Sequence, residues 1–365
     1  MLQADPASTV AVPVLTDRLR AVAAGLAIPL GALIVSAAIF SVFLLALGKS
    51  PVQYFELVWR GGFGSWFSIQ NTLSRAAPLI LTALAFAIPA RIGLTMLGAE
   101  GALVLGGLAA AAAAIPLVSN GFPVAPTLVL MVLAATAAGG AWMGLAGWLR
   151  HARGVNETIS TLLLTYIAIA ISFFFIEGAL RDPASANRPS TMPIGRDYMV
   201  GTIPGTSIHW GLAAGVVLSV LLWLLMTRTT FGFAARVTGG NPRAALAQGL
   251  PVGRLMIACA AIAGACAGLA GFFEVAAVHG QANAAIAAGY GFTGILVAFL
   301  ARQNPLAILP VAILFGAIDA SGGLIQRRMG LPDATALVLQ GLIFVVLLAS
   351  DTLQGRLGAL PGRRP

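Results

Sequence analysis

The sequence predicts an all-α, polytopic membrane protein of about ten transmembrane helices. Two observations carry this expectation. Of 365 residues, 59% are hydrophobic and 9% charged, against roughly 25% charged in an average soluble domain. The apolar residues lie in runs of membrane-crossing length, and the 43 Gly and 20 Pro interrupt those runs without a short period. That pattern excludes a soluble enzyme, a collagen-like repeat and a disordered chain.

The first apolar run, 22–47, is too long for the core of a signal peptide and reads as an uncleaved helix after a polar cytoplasmic segment, 1–21. Further spans are predicted at 70–90, 98–118, 124–148, 157–177, 209–226, 255–276, 290–301, 305–325 and 334–350. Together, 22–350 form one transmembrane domain, with a cytoplasmic loop at 227–254, an external loop at 178–208 and a cytoplasmic tail at 351–365. The net charge of +9 comes from 20 Arg and Lys49. These residues flank the spans and form no stripe with interleaved aromatics, so they signal topology and no nucleic-acid partner. With the N-terminus inside, 13 basic residues fall inside and 8 outside, which favours both termini in the cytoplasm.

Two segments depart from ordinary spans. The stretch 290–301 makes only about 18 Å of helix against a hydrocarbon core of about 30 Å, so non-helical backbone from 282–289 must complete it. Broken backbone at membrane depth lines a cavity or is satisfied by protein, which makes Gly289, Tyr290, Phe292 and Gly294 pathway candidates, with two rings available for stacking. The other segment, 98–104, aligns with 291–297 at an offset of 193 residues with four identities. The two copies follow helices of opposite direction, as an inverted repeat requires; chance matching among Gly, Leu and Val is the alternative. Glu157 and Asp333, which begin the fifth and tenth spans on opposite sides, fit the repeat.

The remaining features are local. Gly140 with Gly144, and Gly264 with Gly268, are spaced for close helix contact in lipid. Cys259 and Cys266 lie about 10 Å apart along one helix, too far for a disulfide, and read as packing residues. Glu100, Glu157, Glu177, Glu274 and Asp319 lie near or within apolar segments. Glu100, between two glycines, reads as a structural ion pair or backbone cap, with substrate contact in the pathway as the alternative. Asn156 and Glu157 start a helix, where capping and gating roles both remain open. In the cytoplasmic loop, Gly239-Gly240-Asn241-Pro242 predicts a turn into a short helix, 243–248, capped by Asn241 and closed by Gly249 and Pro251. So short a helix needs a partner to be ordered.

No catalytic or metal site is predicted. His151, His209 and His279 lack metal spacing, no span carries a proton relay, and Gly48-Lys49-Ser50 lacks the first glycine of a P-loop, Phe43 standing there. The external loop, with Arg181, Asp182, Arg188, Arg196, Asp197 and four prolines, is either a docking surface for a solute-binding protein or a connector.

Three motifs resemble the permease subunits of ABC importers for simple sugars and nucleosides, a branched-chain amino acid/ribose-like family. They are Gly98-Ala99-Glu100-Gly101, then 154–161 with Tyr166-Ile167-Ala168, and Gly240-Asn241-Pro242 with Ala244-Ala245 and Gly249. The Gly-Val-Asn-Glu run at 154–157 is typical of the nucleoside-type branch that works with a basic-membrane-protein-type receptor. The resemblance implies a type II importer-like permease in the bacterial cytoplasmic membrane. Its partners would be an ATP-binding subunit holding ATP and Mg, a second and different permease, and an extracytoplasmic solute-binding protein. No cofactor would sit on this chain. Asn241, Pro242, Arg243, Ala244, Ala245, Gln248 and Gly249 would form the coupling helix that sits in a groove of the ATPase. The family usually has Asn at Met96, Gln at Ala102 and Asn at Thr165, so the solute or the local capping differs here. The alternatives are a secondary carrier with inverted repeats, an ABC permease for ribose or branched-chain amino acids, and a channel or lipid-handling scaffold.

Overall fold

The computed structural model describes residues 15–185 and 188–358, with side chains described from 30 to 350 except at 186 and 187. Of the expected ends at 1–21 and 351–365, residues 1–14 and 359–365 lie outside the described residues, as do the side chains of Arg18, Arg20, Arg356, Arg363 and Arg364, while the last described helix continues into the expected tail. Among the described residues the regular structure is helical. In order these are α1 (Leu15–Ala46), α2 (Pro51–Phe63), α3 (Trp66–Ala90), α4 (Ala99–Ser119), α5 (Val124–Arg153), α6 (Glu157–Glu177) and α7 (Gly211–Arg228). They continue with α8 (Thr230–Gly240), α9 (Pro242–Ala247), α10 (Val252–Phe273), α11 (Tyr290–Leu300), α12 (Ile308–Met329) and α13 (Ala334–Gly358).

Seven described helices are long and apolar enough to cross a membrane, or eight if Leu30–Ala46 and Pro51–Phe63 count as one span. Two shorter apolar helices, Ala284–Leu300 and Ala334–Ser350, stand where further spans are expected. Of the ten expected spans, seven or eight are therefore represented by helices of full crossing length among the described residues, the stretch 290–301 being short as expected. The physical reason is clearest at α11, whose 11 residues make about 17 Å of helix. The helix α2 is also new: its amphipathic sequence buries Tyr54, Leu57 and Gly62.

The chain divides into two compact units, one comprising the residues up to Pro51 with those from Leu337, the other Val52–Ala336. In the first, Ser36 on α1 donates to its own helix at Ala32 O (2.6 Å) and reaches Leu342 O on α13 (3.3 Å). In the second, α10 packs on α3, α4 and α5, while α3 packs on α7, α10, α11 and α12. The α5–α10 crossing depends on the predicted small residues. A Cβ on Gly264 would collide with the Gly139 carbonyl and one on Gly268 with the Ala135 carbonyl. In hydrocarbon, where apolar burial gives no drive for association, this backbone approach supplies the packing. Cys259 and Cys266 are free and buried in α10.

Long-range bonds sort the second unit's loops onto two faces. On the first face, Gln70 Oε1 near the start of α3 accepts from Ser207 N (2.9 Å) and Ser207 Oγ (2.5 Å), and Tyr198 Oη donates to Phe122 O (2.6 Å). On the second face, Arg91 donates to Gln303 O (3.0 Å), and Gly239 of α8 abuts the backbone of Arg91 and Ile92. The connection 178–208 thus belongs to one face and α8–α9 to the other.

Candidate functional site

The end of α10 changes its hydrogen-bond pattern before it breaks. Residues Glu274–His279 form a π-helical turn, a local widening often placed at functional sites. The extra residue per turn brings Glu274 beside His279: the imidazole Nδ1 lies 3.0 Å from the Glu274 carbonyl and 3.6 Å from its carboxylate Oε2. Glu274 is 2% exposed. This pairing was missed in the sequence because an i, i+5 spacing faces a common side only in a π-helix.

Beyond His279 the backbone runs non-helical except for one tight turn at Ala284–Ile286, capped by Asn283. The expected break at 282–289 is present, and protein satisfies much of it. The loop 178–208 folds onto it, with Thr191 N donating to Ala282 O (2.9 Å), Ala282 N to Thr191 Oγ1 (3.0 Å) and Ile194 N to Gly280 O (2.9 Å). Val200 N donates to Ala276 O on the π-helical turn (2.7 Å).

Gly289, whose φ of +86° suits glycine, leads directly into α11. Its first N–H groups have no intrahelical acceptor. The Glu100 carboxylate supplies one: Oε1 accepts from Gly289 N (2.7 Å) and Oε2 from Gly291 N (2.5 Å). A Cβ at Gly291 would strike the Glu100 backbone. The two aligned sequence elements therefore touch at the N-termini of α4 and α11. Glu100 is a backbone cap, as expected, but it caps the helix of the other element. Of the pathway candidates, Gly294 is packed against Thr82, whose hydroxyl also donates to Tyr290 O (3.0 Å). Gly289 and Tyr290 are half-buried, and Phe292 is 40% exposed.

At the start of α6, Asn156 Oδ1 accepts from Thr158 N (2.9 Å) and Ile159 N (3.1 Å). Glu157 Oε2 lies 3.2 Å from Arg150 Nε. Thr161 Oγ1 accepts from Leu97 N (3.0 Å), tying α6 to the approach to α4. Met96, Ala102 and Thr165 are each 0% exposed, so these three positions are packed within the protein.

On the second face, the predicted Gly-Gly turn is corrected: Gly239 and Gly240 end α8, itself capped by Thr229. Without a side chain, Gly239 lets α8 meet the Arg91 carbonyl closely. Asn241 then caps α9, accepting from Arg243 N (3.0 Å) and Ala244 N (3.1 Å), with Pro242 in the first turn. The helix runs Pro242–Ala247, one residue earlier than expected. Ala245 is fully buried, Leu246 is 60% exposed, and Arg243, Ala244, Gln248 and Gly249 are also exposed. An exposed leucine beside exposed polar residues gives α9 an uncovered mixed surface.

A further polar feature has no sequence motif. A cavity of about 340 Å³ opens between α2, α3 and α12, lined by Arg60, Phe67, Ser68, Asn71, Arg75 and Arg327 among others. Arg75, within the expected span 70–90, lies inside α3 and is exposed.

Residues 68–348 match the family described as branched-chain amino acid transport system / permease component. The chain is 32% identical to the glucose ABC transporter permease protein TsgB13 of Haloferax volcanii, over 88% of this chain and 87% of that one. It is 28% identical to the guanosine ABC transporter permease protein NupP of Bacillus subtilis, over 92% and 96%. A second permease of the same bacterium, the guanosine ABC transporter permease protein NupQ, is 23% identical over 77% and 90%.

Proposed function

The chain belongs to the branched-chain amino acid transport system / permease component family, and from that premise we propose that it carries nucleosides or related sugar-containing solutes into the cell. It is a multi-pass membrane permease subunit of an ABC importer, and it is not an enzyme. Such permeases work with an ATP-binding subunit and a solute-binding protein. The observation that carries the solute reading is the similarity to relatives named for guanosine and glucose. The Gly154-Val155-Asn156-Glu157 run supports the nucleoside side.

In this reading both termini lie in the cytoplasm and the subunit sits in a bacterial cytoplasmic membrane. It crosses ten times, with α11 completed by the broken segment, and its α4 and α11 are corresponding members of an inverted repeat. The contact pattern supports the repeat: exchanging α3 with α10, α4 with α11 and α5 with α12 turns the α10–α5 and α10–α4 contacts into α3–α12 and α3–α11, all of which occur. In this reading the second permease is a different chain, which is supported by two guanosine ABC transporter permease proteins, NupP and NupQ, being found in one bacterium.

ATP and Mg are held by the partner ATPase, and α9 is where that subunit grips. Asn241, Pro242, Arg243, Ala244, Ala245, Gln248 and Gly249 form the gripped segment. A shift of α9 passes to α8, through Gly239 to Arg91 and Ile92, and along 93–98 to Glu100. There the clamp on Gly289 and Gly291 moves α11 and, with it, Tyr290 and Phe292. Contacts of this kind are a continuous mechanical path, and two discrete arrangements of the clamp give alternating access. Asn156 and Glu157 hold the same approach through the start of α6.

The solute is tested by uptake into cells expressing the complete transporter, with labelled guanosine, glucose, ribose and leucine supplied separately. Accumulation of guanosine, or of glucose, supports the reading; accumulation of leucine alone overturns it.

A further inference from the structure

Arg75 sits about 14 Å along α3 from its first residue, where the polar first part of the helix, with Ser68, Gln70, Asn71, Thr72 and Ser74, gives way to an almost wholly apolar second part. A guanidinium at that depth must face water, a partner or a counter-charge. Among the described residues it makes no ion pair. Glu274, at the end of α10, feels its charge but lies beyond ion-pair distance, and Asp319 on α12 acts with Arg75 on Tyr290. Arg75 is exposed into the cavity between α2, α3 and α12.

The rest of that cavity repeats the imbalance. Arg60 and Arg327 line it with Arg75, and no carboxylate does. Arg60 is partly neutralised by Glu56 at 2.6 Å, while Arg75 and Arg327 form no ion pair among the described residues. Asn71 and Ser68, on the same wall, add an amide and a hydroxyl donor. The volume, about 340 Å³, holds roughly ten waters. Guanidinium groups converging with neutral donors in a cavity are the arrangement that recognises a tetrahedral oxyanion by paired hydrogen bonds.

We propose that the cavity between α2, α3 and α12 is an oxyanion site that holds a phosphate group on Arg75 and Arg327, with Asn71 and Ser68 completing its hydrogen bonds. The phosphate comes either from a soluble phosphate or from a phospholipid headgroup entering from the membrane surface at the face where α3 begins. The site goes beyond the solute reading, since neither a nucleoside nor a simple sugar carries this charge, and each reading can fail without the other.

The test uses the complete transporter, purified in detergent. One arm titrates inorganic phosphate by equilibrium dialysis. The other adds phosphatidylglycerol and counts retained lipid by native mass spectrometry. Saturable binding of either probe is expected, weakened about tenfold or more by Arg75→Gln and separately by Arg327→Gln, and unchanged by Arg153→Gln on the opposite face. Arg75→Lys should retain part of the binding. Phosphate binding identifies a soluble source, and phosphatidylglycerol retention a lipid source. Should Arg75→Gln fail to assemble, Arg327→Gln at the exposed end of α12 carries the test. Binding of neither probe, or binding indifferent to the loss of these arginines, overturns the proposal.

Discussion

The Glu100 carboxylate on α4 accepts a 2.5 Å hydrogen bond from the backbone N–H of Gly291 on α11. A second bond, from Gly289, completes the clamp at 2.7 Å. At membrane depth no solvent would replace these acceptors, and a negative group at a helix N-terminus is also favoured by the helix dipole. Glu100→Ala should therefore leave the buried Gly291 donor unsatisfied, at about 1–3 kcal/mol, and the half-buried Gly289 donor at a smaller cost. Glu100→Gln keeps one acceptor oxygen and should lose less. Thermal unfolding of the purified protein is expected to rank wild type above Gln and Gln above Ala. Equal midpoints for all three would show that the clamp contributes nothing.

The coupling assignment separates two neighbouring residues on α9. Ala245 is fully buried, so Ala245→Asp should impair folding itself. Leu246 is 60% exposed, so Leu246→Asp should leave insertion and yield intact while abolishing ATP-dependent uptake. Fluorescence size-exclusion profiles measure the first property and radiolabelled uptake the second. Normal uptake by Leu246→Asp would remove α9 from the ATPase interface.

Exposure also divides the pathway segment. In a Cys259→Ala, Cys266→Ala background, Phe292→Cys should react readily with a water-soluble thiol reagent, because Phe292 is 40% exposed. Thr293→Cys, next to it but 8% exposed, should stay inert. Equal protection of both in every nucleotide state would place the pathway away from α11.

A pH effect is expected at the first face. His209, just before α7, is 5% exposed; its Nδ1 accepts from Gly211 N at 3.1 Å, while Nε2 faces Ser74 O at 3.2 Å. Burial holds its pKa below the ordinary value of 6.5, against a smaller opposing effect from the Ser74 carbonyl. The unfolded chain thus binds a proton first as pH falls. Stability should be level above the unfolded value, decline below about pH 6.5 and level off again below the lowered folded value. His209→Asn, which keeps an acceptor for Gly211, should flatten that decline when melting is compared at pH 7.5 and 5.5. An unaltered decline would assign the acid sensitivity to other groups.

Local rules made much of this legible. Asn156 and Asn241 announced their caps, the glycine pairs announced the α5–α10 contact, and the short apolar stretch before Ala301 announced a half-helix. The partner of Glu100 was not legible, because the bond joins residues 191 apart in sequence. Only the four-residue match between 98–104 and 291–297 hinted that the two segments correspond, and correspondence does not itself imply contact. Glu274 and His279 escaped because their pairing needs a π-helical turn. Arg75 falls within the expected span 70–90 yet gave no reading of its own, because the basic residues read together as flanking charges and no motif marks it. The helix α8 was not legible because the turn signal of Gly239 and Gly240 outweighed the Thr229 cap that starts it.

The central claim is that this chain imports its solute only when a partner hydrolyses ATP. The direct measurement reconstitutes it in liposomes with the candidate ATPase, second permease and solute-binding protein, and follows labelled guanosine accumulation with ATP or with an imposed pH gradient. Concentrative uptake that requires ATP and every partner, and ignores the pH gradient, is the predicted result. Uptake by this chain alone, driven by the pH gradient, would contradict the account and make it a secondary carrier.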